Sequence, residues 1–412
     1  MNDTFALIDS VLSQCDARPV EVLHAHAADA LFDFETCAAG GRCLLPDAFS
    51  AGVARAAAAA SALDLEDVHW PSITHPGPLV WPAVLAAGAK VDAAGADAIR
   101  AAAVGYEVTA QLANALGPVH RQFWHATTTA GTVGAAAAAS LVFGLDATYT
   151  ARAMAHAACV AGGIAQSLVE RSGTRILYRA HAAATGLSAA RAARAGLSAT
   201  TSALDGPKGL FTATAPGSTP RFEPRTLAIE QLWFRIHAAT GFAHTAIDAA
   251  ASLGPVPREA VRSVRIVAPP AGVAMAGDLA PETREDGWWS IPYAAAVALL
   301  HGGPSALATD ELHDVRDVLG RTTITAGESD LAATVIVEIE GEERSATAAR
   351  PVGHPERPLN EQQRLDKWTA LAVDGTAEDG HTLYELARRL PKLSVRAYLA
   401  ARPDAAVSLL AK

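Results

Sequence analysis

FWHATTTAGTVGAAAAASLVFGLD, residues 123–146, decides the fold. From Ala130 to Leu145 it is small and apolar, with Gly131, Thr132, Gly134 and Ser140 set into it. Alanine loses no side-chain entropy in a helix, and small residues let helix axes come close. The glycines and hydroxyls, and the short length, argue for a buried helix over 128–143 rather than a membrane span. Gly144 stops it, and Asp146 stands where the next helix wants an N-cap.

The same character extends outward. Helical spacing is read at 5–12, 47–62, 78–89, 94–116, 147–168 and 180–195. A further helix over 244–252 is closed by Gly254-Pro255, a C-terminal glycine followed by proline. After that the pattern changes. VRSVRIVAPP (261–270) and ATVIVEIEG (333–341) alternate and are β-branched, as strands with one buried face should be. Gly341-Glu342 suggests a turn into a partner strand near 344–349, while 291–300 and 309–318 look helical. The prolines of PVGHPERP (351–358) exclude a helix there. The closing stretch, 382–410, is helical again. The expected architecture is mainly α: a helical domain over 1–254, a smaller α+β domain over 255–370, and C-terminal helices from 371 to 412 that return to the first.

Composition excludes several functions. A net charge of −10 over 412 residues argues against nucleic acid, which needs a concentrated basic face. No run of 18 strongly apolar residues is present, and the N-terminus lacks a basic region followed by an apolar core. A soluble cytoplasmic protein is expected. Cys15, Cys37, Cys43 and Cys159 form no C-x-x-C and read as ordinary thiols of a reducing compartment.

Titratable groups set into such smooth helices either cap and anchor them or line a site for an anion. In ALDLEDVHWPSITHPGPLVWPAV (62–84), Asp64, Glu66, Asp67, His69 and His75 share a proline-rich stretch. His75, between Thr74 and Pro76, has a constrained backbone suited to an imidazole that must be aimed. Asp64 or Asp67 could fix its tautomer. Familiar metal-ligand spacings such as H-x-x-x-H are missing, and no metal is expected. His125 precedes a threonine run at a helix start, where unpaired N–H groups and positive potential suit a carboxylate. Arg171, Arg175 and Arg179 recur every fourth residue around Gly173; arginine forks recognise carboxylates. Arg235, His237 and His244 lie together further on, and Tyr293 follows a proline at the start of an apolar helix.

Taken in order, these segments resemble the MmgE/PrpD family, which includes 2-methylcitrate dehydratase, cis-aconitate decarboxylase and iminodisuccinate epimerase. The match rests on Asp64 to Pro76, the FWHATTTAGTVGAAAAA block, GTR with HAAATG (173–186), LDGPKGLF (204–211), His244 with Asp248, SIPYAAA (290–296) and GHPERPLNEQQRLDKW (353–368). The resemblance implies a helical domain with an α+β lid, a homodimer, and chemistry without metal or other cofactor. It implies catalytic roles for Asp64, His75, His125 and Tyr293. The matched positions 175 and 235 put Arg175 and Arg235 in the same site, and substrate binding is expected of these two together with Arg179 and His244. Relatives commonly carry lysine where Arg175 and Arg235 stand, and a histidine where Thr240 stands. Arginine keeps the charge but does not exchange a proton at neutral pH, so proton transfer falls to a histidine or Tyr293. The reading is a cofactor-independent lyase of the dehydratase kind acting on a small di- or tricarboxylate by α-proton abstraction. Alternatives are an epimerase of an iminodisuccinate-like dicarboxylate, or a family member that binds a carboxylate without turnover.

Overall fold

In the computed structural model the alanine run is a helix, Ala126–Val142, buried on every face from Ala126 to Ser140. A helix apolar all round belongs inside, and the others surround it. The structure describes residues 3–45, 49, 52–218, 220–222, 226–302, 315–372 and 374–406. They form two compact units, Met1–Trp233 with Glu361–Lys412, and Phe234–Asn360. The described protein is mainly helical, with a two-stranded ladder in the first unit and a small four-stranded mixed sheet in the second.

In the first unit the order is α1 (Asp3–Asp16), α2 (Val20–Gly41), α3 (Val53–Ser61), β1 (Val68–His69), α4 (Gly77–Val91), α5 (Gly95–Arg121) and α6 (Ala126–Val142). Then come α7 (Ala147–Val160), α8 (Gln166–Val169), α9 (Thr174–Arg194), α10 (Leu210–Thr214) and β2 (Leu232–Trp233). Helix α6 packs against α4, α5, α7 and α9. Glycine makes the closest approaches possible. A Cβ on Gly134 of α6 would lie 2.4 Å from the Gly105 carbonyl oxygen of α5 and 2.1 Å from Thr109 Oγ1. Helix propensity favours Gly134→Ala by about 1 kcal/mol, but the backbone carbonyl cannot swing aside. We expect Gly134→Ala to destabilise the unit by about 1–3 kcal/mol, read from urea unfolding, despite the better propensity.

In the second unit α11 (His244–Ser252) precedes β3 (Val261–Ala268), α12 (Pro270–Ala276), α13 (Arg284–Trp288) and α14 (Ile291–His301). It ends with α15 (Arg316–Leu319), β4 (Thr322–Ala326), β5 (Ala333–Ile339) and β6 (Glu342–Ala348). The sheet order is β4-β3-β5-β6; β3 runs parallel to β4 and antiparallel to β5, and β5 antiparallel to β6. Alternate β5 residues, Val335 and Val337, enter one core with Val264 and Ile266 of β3, Ile247 and Ala250 of α11, and Val297 of α14. The two-residue turn between β5 and β6 has positive φ at both Glu340 and Gly341, as a tight hairpin requires. The chain then returns to the first unit as α16 (Glu361–Leu371), α17 (Ala377–Arg389) and α18 (Val395–Ala401).

Four expectations change. The units divide at 233/234 and 360/361, not at 254 and 370. Helix α11 covers the sheet and buries its apolar residues there, so it belongs with the strands although its sequence looks like the helices before it. Helix α16 belongs with the first unit through Arg364–Asp29 (2.8 Å) and Lys367–Asp33 (2.6 Å). The helix expected over 147–168 ends at Val160, and Gly163 takes φ 103°, which breaks it before α8. Strand β4 was not anticipated. Parts of the expected helices at 47–62, 309–318 and 382–410 lie outside the described residues.

Candidate active site

The acidic stretch leaves α3 through Asp64, which sits in the left-handed region at φ 54°. A non-glycine residue tolerates that conformation at some cost, and aspartate more readily than most. Beyond it, β1 pairs with β2, Val68 opposite Trp233. Residues 69–74 close on themselves: His69 N–H donates to the Thr74 carbonyl (2.9 Å), and Ser72 Oγ lies 2.7 Å from both His69 Nδ1 and Thr74 Oγ1. The His69 backbone and Nδ1 are thus engaged within its own loop. That loop delivers His75 to the start of α4.

Asp67 fixes the delivery from below. Its carboxylate accepts from Gly77 N–H (2.9 Å) and Tyr106 O–H (2.6 Å). Burial, with repulsion from Asp33, nevertheless raises Asp67 from its ordinary 3.8 to about 7. From about pH 4 to about 7 the folded chain keeps a proton that the unfolded chain has lost, so stability falls as pH rises through that window. In Asp67→Asn this fall should flatten. Urea midpoints taken across the window for wild type and variant check it; parallel slopes would refute it.

His75 and Glu66 form the first catalytic-looking pair, His75 Nδ1 standing 3.3 Å from Glu66 Oε1. The same Glu66 oxygen accepts from Arg179 Nη1, and both of those side chains are buried. Arg175, one turn earlier on α9, donates to the Ser61 carbonyl (3.1 Å) and stands 3.7 Å from Asp64 Oδ1. Glu66 thus stands directly on His75, while Asp64 faces Arg175. Arg171 lies before α9, at φ 53°, and does not continue the row.

His125 enters from the N-terminus of α6. Its N–H donates to the Gly163 carbonyl (2.8 Å), and Trp124 bridges to Ile164, so the break after α7 clamps the histidine's backbone. A Cβ on Gly163 would collide with Thr128 Oγ1 at 2.2 Å, which is why glycine stands there. Thr127, two residues after His125, accepts from His75 N–H at 3.2 Å and so links the two histidine backbones. The His125 imidazole packs 5.2 Å from the Tyr178 ring, whose hydroxyl accepts from Ser167 Oγ (3.0 Å). Burial, then the charges of Arg179 and Arg175, hold His125 well below its usual 6.5. Burial likewise raises the Tyr178 phenol. At neutral pH His125 is an uncharged imidazole, the form that accepts a proton.

Asp64, Glu66 and His75 also place three possible metal-ligand atoms within 4.8 Å of one another. Each carboxylate already faces a guanidinium, so the positive charge this cluster calls for is supplied by Arg175 and Arg179.

Residues 17–223 match the MmgE/PrpD N-terminal domain, and residues 237–390 the MmgE/PrpD C-terminal domain. The chain belongs to the MmgE/PrpD family. It is also 28% identical over 355 residues to a cis-aconitate decarboxylase-like protein of Aspergillus oryzae, covering 76% of this chain and 73% of that one. MmgE/PrpD proteins are enzymes, and membership together with this relative supports a function of the dehydratase or decarboxylase type.

Of the candidate site residues read from the sequence, Asp64, His75, His125, Arg175 and Arg179 are brought together in the first unit. Arg235, His244 and Tyr293 lie in the second, each buried. There His244 Nε2 stands 3.3 Å from the Ala239 carbonyl oxygen, its ring 5.1 Å from that of His237. His237 Nε2 stands 3.3 Å from Asp248, which also accepts from Val352 N–H (2.7 Å) and Arg357 (3.0 Å). Asp248 thus ties down the turn at 351–357. Tyr293 starts α14 behind a Ser290 cap, its N–H donating to Ser290 Oγ at 3.1 Å. From the sequence Glu66 was only one acid of the proline-rich stretch, with no role given to it, and Tyr178 was not singled out. For Tyr178 a signal existed, since three residues after Arg175 it shares that residue's helical face. No helix among the described residues is long and apolar enough to cross a membrane.

Proposed function

We propose that this protein is a cofactor-independent lyase that removes an α-proton from a small di- or tricarboxylate and expels water. The observation carrying this reading is the cluster in which His75 meets Glu66, Glu66 meets Arg179 and Arg175 faces Asp64, with the backbone beside His125 tied to that of His75 through Thr127. Abstracting a proton beside a carboxylate builds a second negative charge on it, which needs fixed positive charge or donors held ready. Arg175 suits that task. It is held by a carbonyl and a carboxylate at 3.7 Å, so most of its five N–H donors remain for a ligand. Arg179, locked on Glu66, serves instead to set the local charge.

The two histidines then divide the work. His125, neutral, takes the α-proton. Glu66 fixes the Nδ1–H tautomer of His75 and can neutralise an imidazolium there, so His75 delivers a proton to the departing hydroxyl. The reaction as written uses groups of the first unit alone. Two imidazoles near one carbon would also serve an epimerase, which is the second reading.

Incubation with 2-methylcitrate, citrate and iminodisuccinate in D2O tests both. The lyase predicts loss of water from a hydroxy-acid. Deuterium entering the α position without loss of water would overturn it in favour of epimerisation. No turnover and no exchange, with ligand bound equally by His75→Gln and His125→Gln, would indicate a binding protein.

A further inference from the structure

The segment 353–368 carries a buried lysine that the reaction above does not use. Lys367, on α16, is almost fully enclosed. Its ammonium donates to Asp33 Oδ1 of α2 (2.6 Å) and to the Leu65 carbonyl oxygen (2.9 Å). Leu65 lies between the two carboxylates of the site, Asp64 and Glu66, and is itself buried. The carbonyl of Leu65 and the N–H of Glu66 share one rigid peptide plane. Immediately before it, Asp64 occupies the left-handed region, where the chain does not rest by preference. A second contact fixes the helix that carries the lysine: Arg364 on α16 pairs with Asp29 of α2 at 2.8 Å.

We infer that Lys367 is a positioning residue for Glu66: by holding the Leu65 carbonyl it fixes the peptide from which Glu66 reaches His75 and Arg179. The charge on the lysine strengthens that hydrogen bond, and Asp33 keeps the lysine charged. Burial works against the ammonium, yet its pKa is raised, because attraction to Asp33 and Cys37 and the hydrogen bonds to both together more than offset desolvation. The inference rests on reading the Glu66–His75 pair as part of the site, but its test needs no substrate.

The full chain is labelled with 15N in its histidine rings, and the His75 signals are assigned with His75→Gln. Glu66→Gln supplies the reference position of the His75 Nδ1 signal without the carboxylate. In Lys367→Met this signal should move at least halfway from the wild-type position towards the Glu66→Gln position. Because Lys367→Met strands Asp33 in the interior and could prevent folding, Asp33→Asn/Lys367→Met, which removes both charges, is measured alongside. It should show the same displacement with a cooperative thermal transition retained. A His75 signal at the wild-type position in the folded double variant would overturn the inference and leave Lys367 a purely structural pair with Asp33.

Discussion

Arg179→Met is expected to cost about 3–5 kcal/mol of stability, the loss typical of stranding one charge of a buried ion pair. Both partners are enclosed: the Arg179 side chain is 2% exposed and that of Glu66 1%. Without the guanidinium, the Glu66 carboxylate must either stay ionised in the interior or take up a proton. Glu66→Gln should cost less, because the amide is neutral and the remaining guanidinium can still donate to its oxygen. The double variant, Glu66→Gln/Arg179→Met, should recover most of the stability lost by Arg179→Met, since no unpaired charge remains. It should not recover turnover, because His75 has lost its carboxylate. Urea unfolding of the first unit's signal, with kcat/KM measured in parallel, separates the two effects. If the double variant is as active as wild type, Glu66 does not serve His75.

His125→Gln is expected to lower kcat/KM by about 10²–10⁴-fold, the usual contribution of a positioned general base. Glutamine roughly preserves the side chain's size and its capacity to hydrogen-bond but cannot take the proton. Folding should survive, because the polar contact of this ring, Nδ1 to Thr128 Oγ1, is a long 3.5 Å, and the clamp on Gly163 is made by the backbone. The pH dependence supplies an internal check. A depressed imidazole loses its base form only on protonation, so the acid limb due to His125 should lie well below pH 6.5 in wild type. His125→Gln should lack that limb. Full activity in the variant would remove His125 from the mechanism.

Much of this architecture can be read from residue order. The alanine run announces α6 to within two residues at its start and one at its end, because no other element tolerates such composition so deeply buried. The alternation of 333–339 predicts β5, and Gly254 and Asp146 mark helix ends where the structure has them, Asp146 accepting from Tyr149 N–H at 2.9 Å. What residue order does not carry is which of several neighbouring groups meet. Asp64 and Glu66 are equally placed in the sequence to reach His75; only the structure shows Glu66 Oε1 at 3.3 Å from its Nδ1. The two-residue pairing of β1 with β2 joins positions over 160 apart, too short to leave a periodic pattern. Lys367 reaches Leu65 across 302 residues, and nothing local to either position predicts it. The boundary at 233/234 is hidden for the same reason, since α11 differs from earlier helices only in what it packs against.

Titration of the 15N-histidine-labelled protein with propane-1,2,3-tricarboxylate, an unreactive tricarboxylate, bears most directly on the site. If His75, His125 and Arg175 surround one carboxylate ligand, the side-chain signals of both histidines will move along a single binding curve. Arg175→Gln will then shift its midpoint to roughly tenfold higher concentration or more, as loss of a charge-assisted hydrogen bond requires. Signals that move with different midpoints, or a midpoint indifferent to Arg175→Gln, would contradict a shared carboxylate site.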